Sequence, residues 1–289
     1  MSFSPSSSSK RQVIEMVKPR RAFTYAFLIA ATVVSVFPFL WMIVSATNKS
    51  VDVTQGRLLP GSHLIANMRN LFDQYDVVTA LANSAKVSLT TTFLALVIGS
   101  LAGYGFEVYR SRAKDIVFNI LLLSMMIPFA ALMVPLYRMF AAVSRTVPFI
   151  GVNTAAAVVL PTMTTAFLIF FFRQSTKMFP RDLLEAGRID GVNELGLFFR
   201  IFVPTMRTTY AAAAIITFMS SWNNYLWPLI VLQSEDTRTI PLLISNLGSG
   251  YTPDYGVIMT AIVIGTLPTA LVFFLMQKHF VAGMTGSVK

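Results

Sequence analysis

Two stretches of this chain combine residue types whose spacing could do chemistry without a covalent step. The first reads FRQSTKMFPRDLLEAGRIDGVNELGLFFRIFVPTMRTT from Phe172 and sets the acids Asp182, Glu185 and Asp190 among arginines and apolar residues. The second, Ser220–Pro228, places Ser220, Ser221, Asn223 and Asn224 beside Trp222, Tyr225 and Trp227. The first offers charge and apolar surface to a partner. The second offers hydroxyls and amides that bond other hydroxyls, next to ring faces on which C–H groups stack.

Covalent and metal chemistry has little to work with. There is no cysteine, so disulfide, thiol and thiolate–metal chemistry are excluded. The two histidines, His63 and His279, are far apart in sequence, which argues against a His-based metal centre. No Gly-x-x-x-x-Gly-Lys-Ser/Thr loop is present to cradle nucleotide phosphates.

The elements that must position these residues are membrane helices. Of the 289 residues only 12% are charged, and the mean hydropathy is +0.64. Soluble domains carry roughly 25% charged residues, so the surplus apolar surface faces lipid. The net charge of +10 does not point to nucleic acid, because Lys and Arg cluster in short segments between apolar runs. Six charge-free runs are long enough to cross a bilayer: Ala22–Asn48, Val87–Phe106, Ile116–Tyr137, Thr146–Phe172, Thr208–Ser234 and Tyr255–Gln277. None alternates like a barrel strand. The first run is too long for a signal peptide, whose apolar part spans roughly 7–15 residues, and is expected to be retained.

Sixteen of the 23 Lys and Arg residues fall on the side that holds both termini, so that side is expected to be cytoplasmic. The predicted organisation is a cytoplasmic tail over residues 1–21, Ser-rich and disordered; a first transmembrane helix over 22–48; an external loop over 49–79; a core over 80–279 with helices 2–6; and a cytoplasmic tail over 280–289. Within the core, residues 173–207 form a long cytoplasmic segment. Pro38, Pro128, Pro135, Pro161, Pro228 and Pro268 favour kinks in or at the ends of spans. Gly99 and Gly103 have the spacing for close helix contact.

The cytoplasmic segment is too structured for a plain connector. Pro180 suits a first helical turn and Arg181–Ala186 are good helix formers. Gly191 permits a sharp turn. A second short helix carries Leu195, Phe198, Phe199 and Phe202 along one face and ends at Pro204. Such a helix–turn–helix either lies on lipid headgroups or docks in a groove on a soluble partner.

These residues resemble the EAA loop of binding-protein-dependent ATP-binding-cassette importers. That pattern is Glu-Ala-Ala, three residues, Gly, nine residues, then Ile-x-Leu-Pro. Here Glu185-Ala186-Gly187, Gly191 and Ile201-Phe202-Val203-Pro204 meet the spacing, with Gly187 in place of the second Ala and Val203 in place of Leu. Ile189-Asp190-Gly191, the segment Trp222–Pro228 and the tail Phe280–Lys289 are similar to carbohydrate permeases of the maltose-permease type, and the short tails suit the MalG-like subunit.

The resemblance implies an all-α membrane protein with the six-helix type I importer permease fold, in the bacterial cytoplasmic (inner) membrane. It implies a larger MalF-like second permease, two ATP-binding-cassette ATPase subunits that bind ATP and Mg, an extracytoplasmic solute-binding protein and a sugar substrate. This chain itself would bind no cofactor and catalyse no reaction. Glu185, Ala186, Gly187, Asp190, Gly191, Ile201 and Pro204 would couple to the ATPase, with Glu185 pairing either with a basic group there or with a nearby Arg of its own chain. Ser221, Trp222, Asn223, Asn224 and Tyr225 would line a substrate path or gate, against a competing reading in which the aromatics anchor the helix at the membrane edge. An ion-coupled carrier or channel is the main rival. Its expected intramembrane Asp, Glu, Arg or His is missing from all six runs.

Overall fold

The computed structural model describes residues 7–284, and every regular element among them is helical. The chain divides into two compact units. One holds the chain as far as Asn70 together with Asp254–Val263; the other holds Leu71–Pro253 and the chain from Ile264 onward.

The first unit is built on α1 (Ser7–Ala46), α2 (Ser50–Thr54) and the start of α3 (Leu64–Gln74). Helix α1 begins inside the Ser2–Ser9 segment expected to be disordered; the rest of that segment lies outside the described residues. The apolar stretch of α1, Phe23–Ala46, leaves large side chains such as Phe27, Val34 and Phe39 exposed. Such a surface is stable only against lipid or another protein. Two buried amides stitch the chain beyond it. Asn67 Nδ2 donates to the carbonyls of Ala46 and Asn48, each at 2.9 Å, and Asn48 Nδ2 donates to Val44 and Leu59 at 3.1 and 3.0 Å. Helices α2 and α3 thus occupy most of the segment expected to be an external loop.

The second unit is organised around α4 (Val77–Val108). Its N-terminus is capped by the Asp76 carboxylate, which accepts from the Thr79 N–H at 2.9 Å; hydrogen bonding to the Thr79 side chain, and then to its backbone N–H, holds the carboxyl below the usual aspartate range. Then follow α5 (Arg112–Ser124), α6 (Phe129–Val143), α7 (Ala155–Thr162), α8 (Ala166–Lys177) and α9 (Arg181–Ile189). The chain continues through α10 (Glu194–Gly196), a π-helical turn over Leu197–Phe202, α11 (Val203–Thr205), α12 (Arg207–Trp222), α13 (Leu226–Val231) and α14 (Ile240–Leu247). The last helix is α15 (Tyr255–Met284), so Thr285–Lys289 of the expected tail fall outside the described residues.

Gly99 and Gly103 do what their spacing predicts. A Cβ on Gly103 would lie 2.6 Å from Phe172 Cβ and 2.7 Å from Arg173 N, so the backbones of α4 and α8 meet there. A Cβ on Gly99 would lie 3.1 Å from Leu168.

Among the described residues, three helices are continuous enough to cross a bilayer alone: α1 over Phe23–Ala46, α4, and α15 over Tyr255–Gln277. The other apolar stretches are broken pairs, bent by 98° between α5 and α6, by 45° between α7 and α8, and by 79° where α12 begins. Pro128 stands at the first break and Pro161 in the turn before the second, each lacking the N–H that would continue the ladder.

Two expected boundaries are corrected. Helix α4 starts ten residues before Val87 and takes in Lys86 and Glu107, because a long charged side chain reaches water or a partner without interrupting the backbone ladder. The run Thr208–Ser234 is not one helix: α12 stops at Trp222 and α13 restarts at Leu226. At the stop, Asn223 turns its amide back onto the Met219 carbonyl at 2.9 Å, a local bond that competes with helix continuation.

Candidate functional site

Helix α9 owes its shape to the glycine after it. Gly191 has φ +79°, and the bonds Gly191 N–H to Arg188 O (3.0 Å) and Val192 N–H to Gly187 O (2.9 Å) close a Schellman cap. Asn193 then caps the next turn, accepting from Gly196 N–H at 2.7 Å. Pro180 stands just before the helix as its N-cap rather than within its first turn. On α9, Leu184 and Gly187 face inward while Glu185, Ala186, Ile189 and Asp190 face out. The missing methyl at Gly187 is where the side-chain ends of Leu197 and Ile201 come closest; a Cβ there would meet them at 2.6 and 2.7 Å.

The second helix does not present its apolar residues on one face, as the sequence suggested. Phe198 and Phe202 are buried with Tyr104, Phe179, Leu184, Leu197 and Met206, whereas Leu195 and Phe199 point outward. Spacing by four keeps each pair together, and the burial of one pair leaves the other on the opposite side. Nor does Pro204 end this helix. It sits inside α11, the turn ahead of it is wound as a π-helix, and the break falls at Met206. A proline cannot donate to the turn before it, and the wider π-turn accommodates that loss.

What seats this segment was not apparent from the sequence. Glu107, at the end of α4, is 2% exposed and surrounded by Arg110 at 2.7 Å, Arg181 at 3.1 Å and Arg173 at 3.5 Å. Arg173 also pairs with Asp115 at 2.5 Å, and its guanidinium lies 4.0 Å over the Phe118 ring. A buried carboxylate is tolerable only when so many donors replace its water. The cluster ties α4, α5, α8 and α9 together. A second set, Arg188 with Glu194 at 2.9 Å and Tyr109 donating to Glu194, closes the turn. Burial and the Glu194 carboxylate push the Tyr109 phenol up, so it remains a donor. The available signal was position: Glu107 and Arg173 are the residues directly after the apolar runs ending at Phe106 and Phe172.

The outer surface of the segment is left unmatched. The arginines near Glu185 are taken by Glu107 and Glu194, and among the described residues Glu185, Asp182 and Asp190 form no ion pair. Of the two alternatives for Glu185, pairing with an Arg of its own chain is not met. Beside these acids Ile189 is 87%, Leu195 67% and Phe199 56% exposed, and Asp190, Gly191, Leu195 and Phe199 border a shallow hollow of about 450 Å³.

The five residues expected on a substrate path divide. Trp222 is buried, stacks on Phe218 and donates to the Gly265 carbonyl of α15 at 3.0 Å. Asn223 bonds within its own helix, and Tyr225 shares a hydrogen bond with Ser245 at 2.9 Å. Ser221 and Asn224 border a cavity with Thr91, Thr165 and Thr217. Trp227 is not an edge anchor: it is fully buried, donates to the Ala157 carbonyl at 2.9 Å and packs against Phe129 and Phe140.

Comparison with known proteins agrees with this arrangement. Residues 95–286 match the family described as binding-protein-dependent transport system inner membrane component. The lactose transport system permease protein LacG of Rhizobium radiobacter is 48% identical over 265 residues, covering 92% of this chain and 95% of that protein. The arabinooligosaccharides transport system permease protein AraQ of Halalkalibacterium halodurans is 34% identical over 262 residues, covering 89% and 92%. Among solved structures, a bacterial ABC transporter involved in the import of the acidic polysaccharide alginate aligns with a TM-score of 0.76 at 18% identity, covering 97% of this chain and all of that one. The fold is that of an importer permease.

Proposed function

Since the chain belongs to the family of binding-protein-dependent transport system inner membrane components, we propose that it is one of two permease subunits of an ATP-driven importer of disaccharides or oligosaccharides. The full-length similarity to a lactose permease and an arabinooligosaccharide permease supports the substrate class. The chain sits in the bacterial inner membrane with both termini in the cytoplasm, as the placement of Lys and Arg supports. ATP and Mg belong to two separate cassette subunits, and a second permease and an extracytoplasmic solute-binding protein complete the assembly.

One observation carries this reading. The Gly191-capped helix presents Glu185, Ala186 and Asp190 outward on a base held by Glu107 and its arginines. A helix anchored in this way moves as a rigid body with whatever grips it. Closure of the ATPase dimer would grip α9 by its unpaired acids and by Ile189, Leu195 and Phe199. The displacement would pass through the Glu107 cluster into α4, α5 and α8, opening and closing the path between alternating states. Ile201 and Pro204 would act from within, filling the space at Gly187 and setting the bend into α12.

The test uses the cysteine-free chain. In the assembled importer, Glu185→Cys is expected to crosslink to a cassette subunit carrying a single groove cysteine, with a yield that changes when ATP is bound. Uptake of sugar should stop on ATP depletion. Uptake that persists without ATP and collapses with the ion gradient, together with no crosslink, would instead establish an ion-coupled carrier.

A further inference from the structure

The cavity beside the end of α12 is lined by hydroxyls drawn from three separate parts of the second unit. Thr91 comes from α4, Thr165 from the break between α7 and α8, and Thr217, Ser220, Ser221 and Asn224 from α12 and the residues just past it. Its volume is about 280 Å³, just below the roughly 300–1,000 Å³ spanned by sites for whole small molecules. None of its lining residues is ionisable, and the ring of Phe167 forms part of the wall.

The hydrogen bonding of these groups is incomplete. Thr91 is 2% exposed, yet its hydroxyl has no partner. Buried threonines and serines in helices ordinarily bond back to the carbonyl three or four residues earlier, as Ser88 does to Ser84 on the same helix and Thr162 does to Val158. Thr165 accepts from Leu168 N–H at 3.3 Å and keeps its own proton to give. A buried hydroxyl without a partner is costly, and that of Thr91 borders this cavity beside the more accessible hydroxyls of Thr165, Thr217, Ser220 and Ser221.

We propose that this cavity is a subsite for a single ring of a neutral, polyhydroxylated substrate. This rests on the import reading above and adds that this subunit itself touches the sugar. A hydroxyl both donates and accepts, as do the Ser and Thr hydroxyls and the Asn224 amide, so a sugar satisfies the wall without any charge. The Phe167 ring offers a face to the C–H side of the ring. A phosphate or carboxylate would enter a site with no cation to offset its lost hydration, at a cost hydroxyls do not repay. The same walls include Thr162 and Thr165 at the α7–α8 break, where the chain bends by 45°.

The experiment compares the assembled wild-type importer with Thr91→Val and Ser221→Ala variants in proteoliposomes. A panel of neutral disaccharides and trisaccharides is supplied, with sn-glycerol 3-phosphate as the charged counterpart. Thr91→Val keeps the shape and removes the unpaired hydroxyl, so its melting temperature should be equal to or above that of wild type. The KM for uptake of the neutral sugar should nevertheless rise about tenfold, and Ser221→Ala should raise it severalfold. Wild-type kinetics in both variants would overturn the subsite and leave the import reading standing. A wild type that carries only sn-glycerol 3-phosphate would overturn the neutral class. A wild type with no ATP-dependent uptake of any kind would remove the import reading and the subsite with it.

Discussion

The segment from Phe179 to Met206 and the break from Asn223 to Tyr225 both interrupt apolar stretches, but they are held in different ways. The first adds charge to a buried apolar cluster around Phe198 and Phe202: Glu107 with three arginines on one side, Glu194 with Arg188 and Tyr109 on the other. The second is held by packing, with Trp222 and Trp227 buried on either side of the break and each indole N–H given to a carbonyl of another helix. The charged base leaves its outer acids and apolar side chains free for a partner. The packed break leaves hydroxyls free around a cavity. A lever must remain seated while something pulls on it, and ion pairs with several donors resist tilting in many directions. A substrate wall needs fixed positions for small dipoles, which close packing of large rings provides.

Four substitutions put this contrast to the test, with thermal unfolding of the assembled importer as the common measurement. Trp227→Ala should have the largest effect, about 3–5 kcal/mol, the usual range for deleting a fully buried aromatic. A loss below 1 kcal/mol would mean that packing does not hold the break. Glu107→Gln should cost on the order of 2 kcal/mol, below the 3–5 of a fully buried pair because Arg110 and Arg181 are half-exposed or more and screened by water. If it cost as much as Trp227→Ala, charge would hold the loop as firmly as packing holds the break.

Gly191→Ala should cost about 1 kcal/mol, because φ is +79° while the space around the glycine is open. Its transport rate should fall further than its stability, with ATP hydrolysis retained; equal losses in both would remove the lever. Asp76→Ala is the smallest, a slight lowering of the melting temperature confined to the start of α4. The Asp76 pKa is depressed by hydrogen bonds with the Thr79 side chain and backbone N–H. Its stabilisation is therefore complete above about pH 4, the ordinary aspartate value, and is lost as pH falls through the lower native one. The variant should match wild type at the acid end and differ from it at neutral pH.

Much of the segment from Phe179 to Met206 was legible because it is local. Glu185, Gly191 and Pro204 lie within twenty residues, and the Schellman cap at Gly191 needs only neighbouring backbone groups. The same nearness misled at Leu195, Phe198, Phe199 and Phe202, since a helical period cannot say which of two pairs the rest of the protein will cover. The expected path residues were chosen by type. Ser221 and Asn224 do border a cavity, while Trp222 and Trp227 are structural. An indole suits a ligand wall, a membrane edge and a core equally well, so type alone cannot decide.

From the residue types and their order alone came the membrane character, the six apolar runs and the glycine-capped helix, because each depends on neighbours along the chain and on the exclusion of charge from lipid. The tertiary structure alone decided that Glu107 is buried among arginines, that α4 reaches from Val77 to Val108, and that Thr91, Thr165 and Ser221 face one space. Those facts depend on how the helices pack, and residues far apart along the chain carry no mark of their meeting.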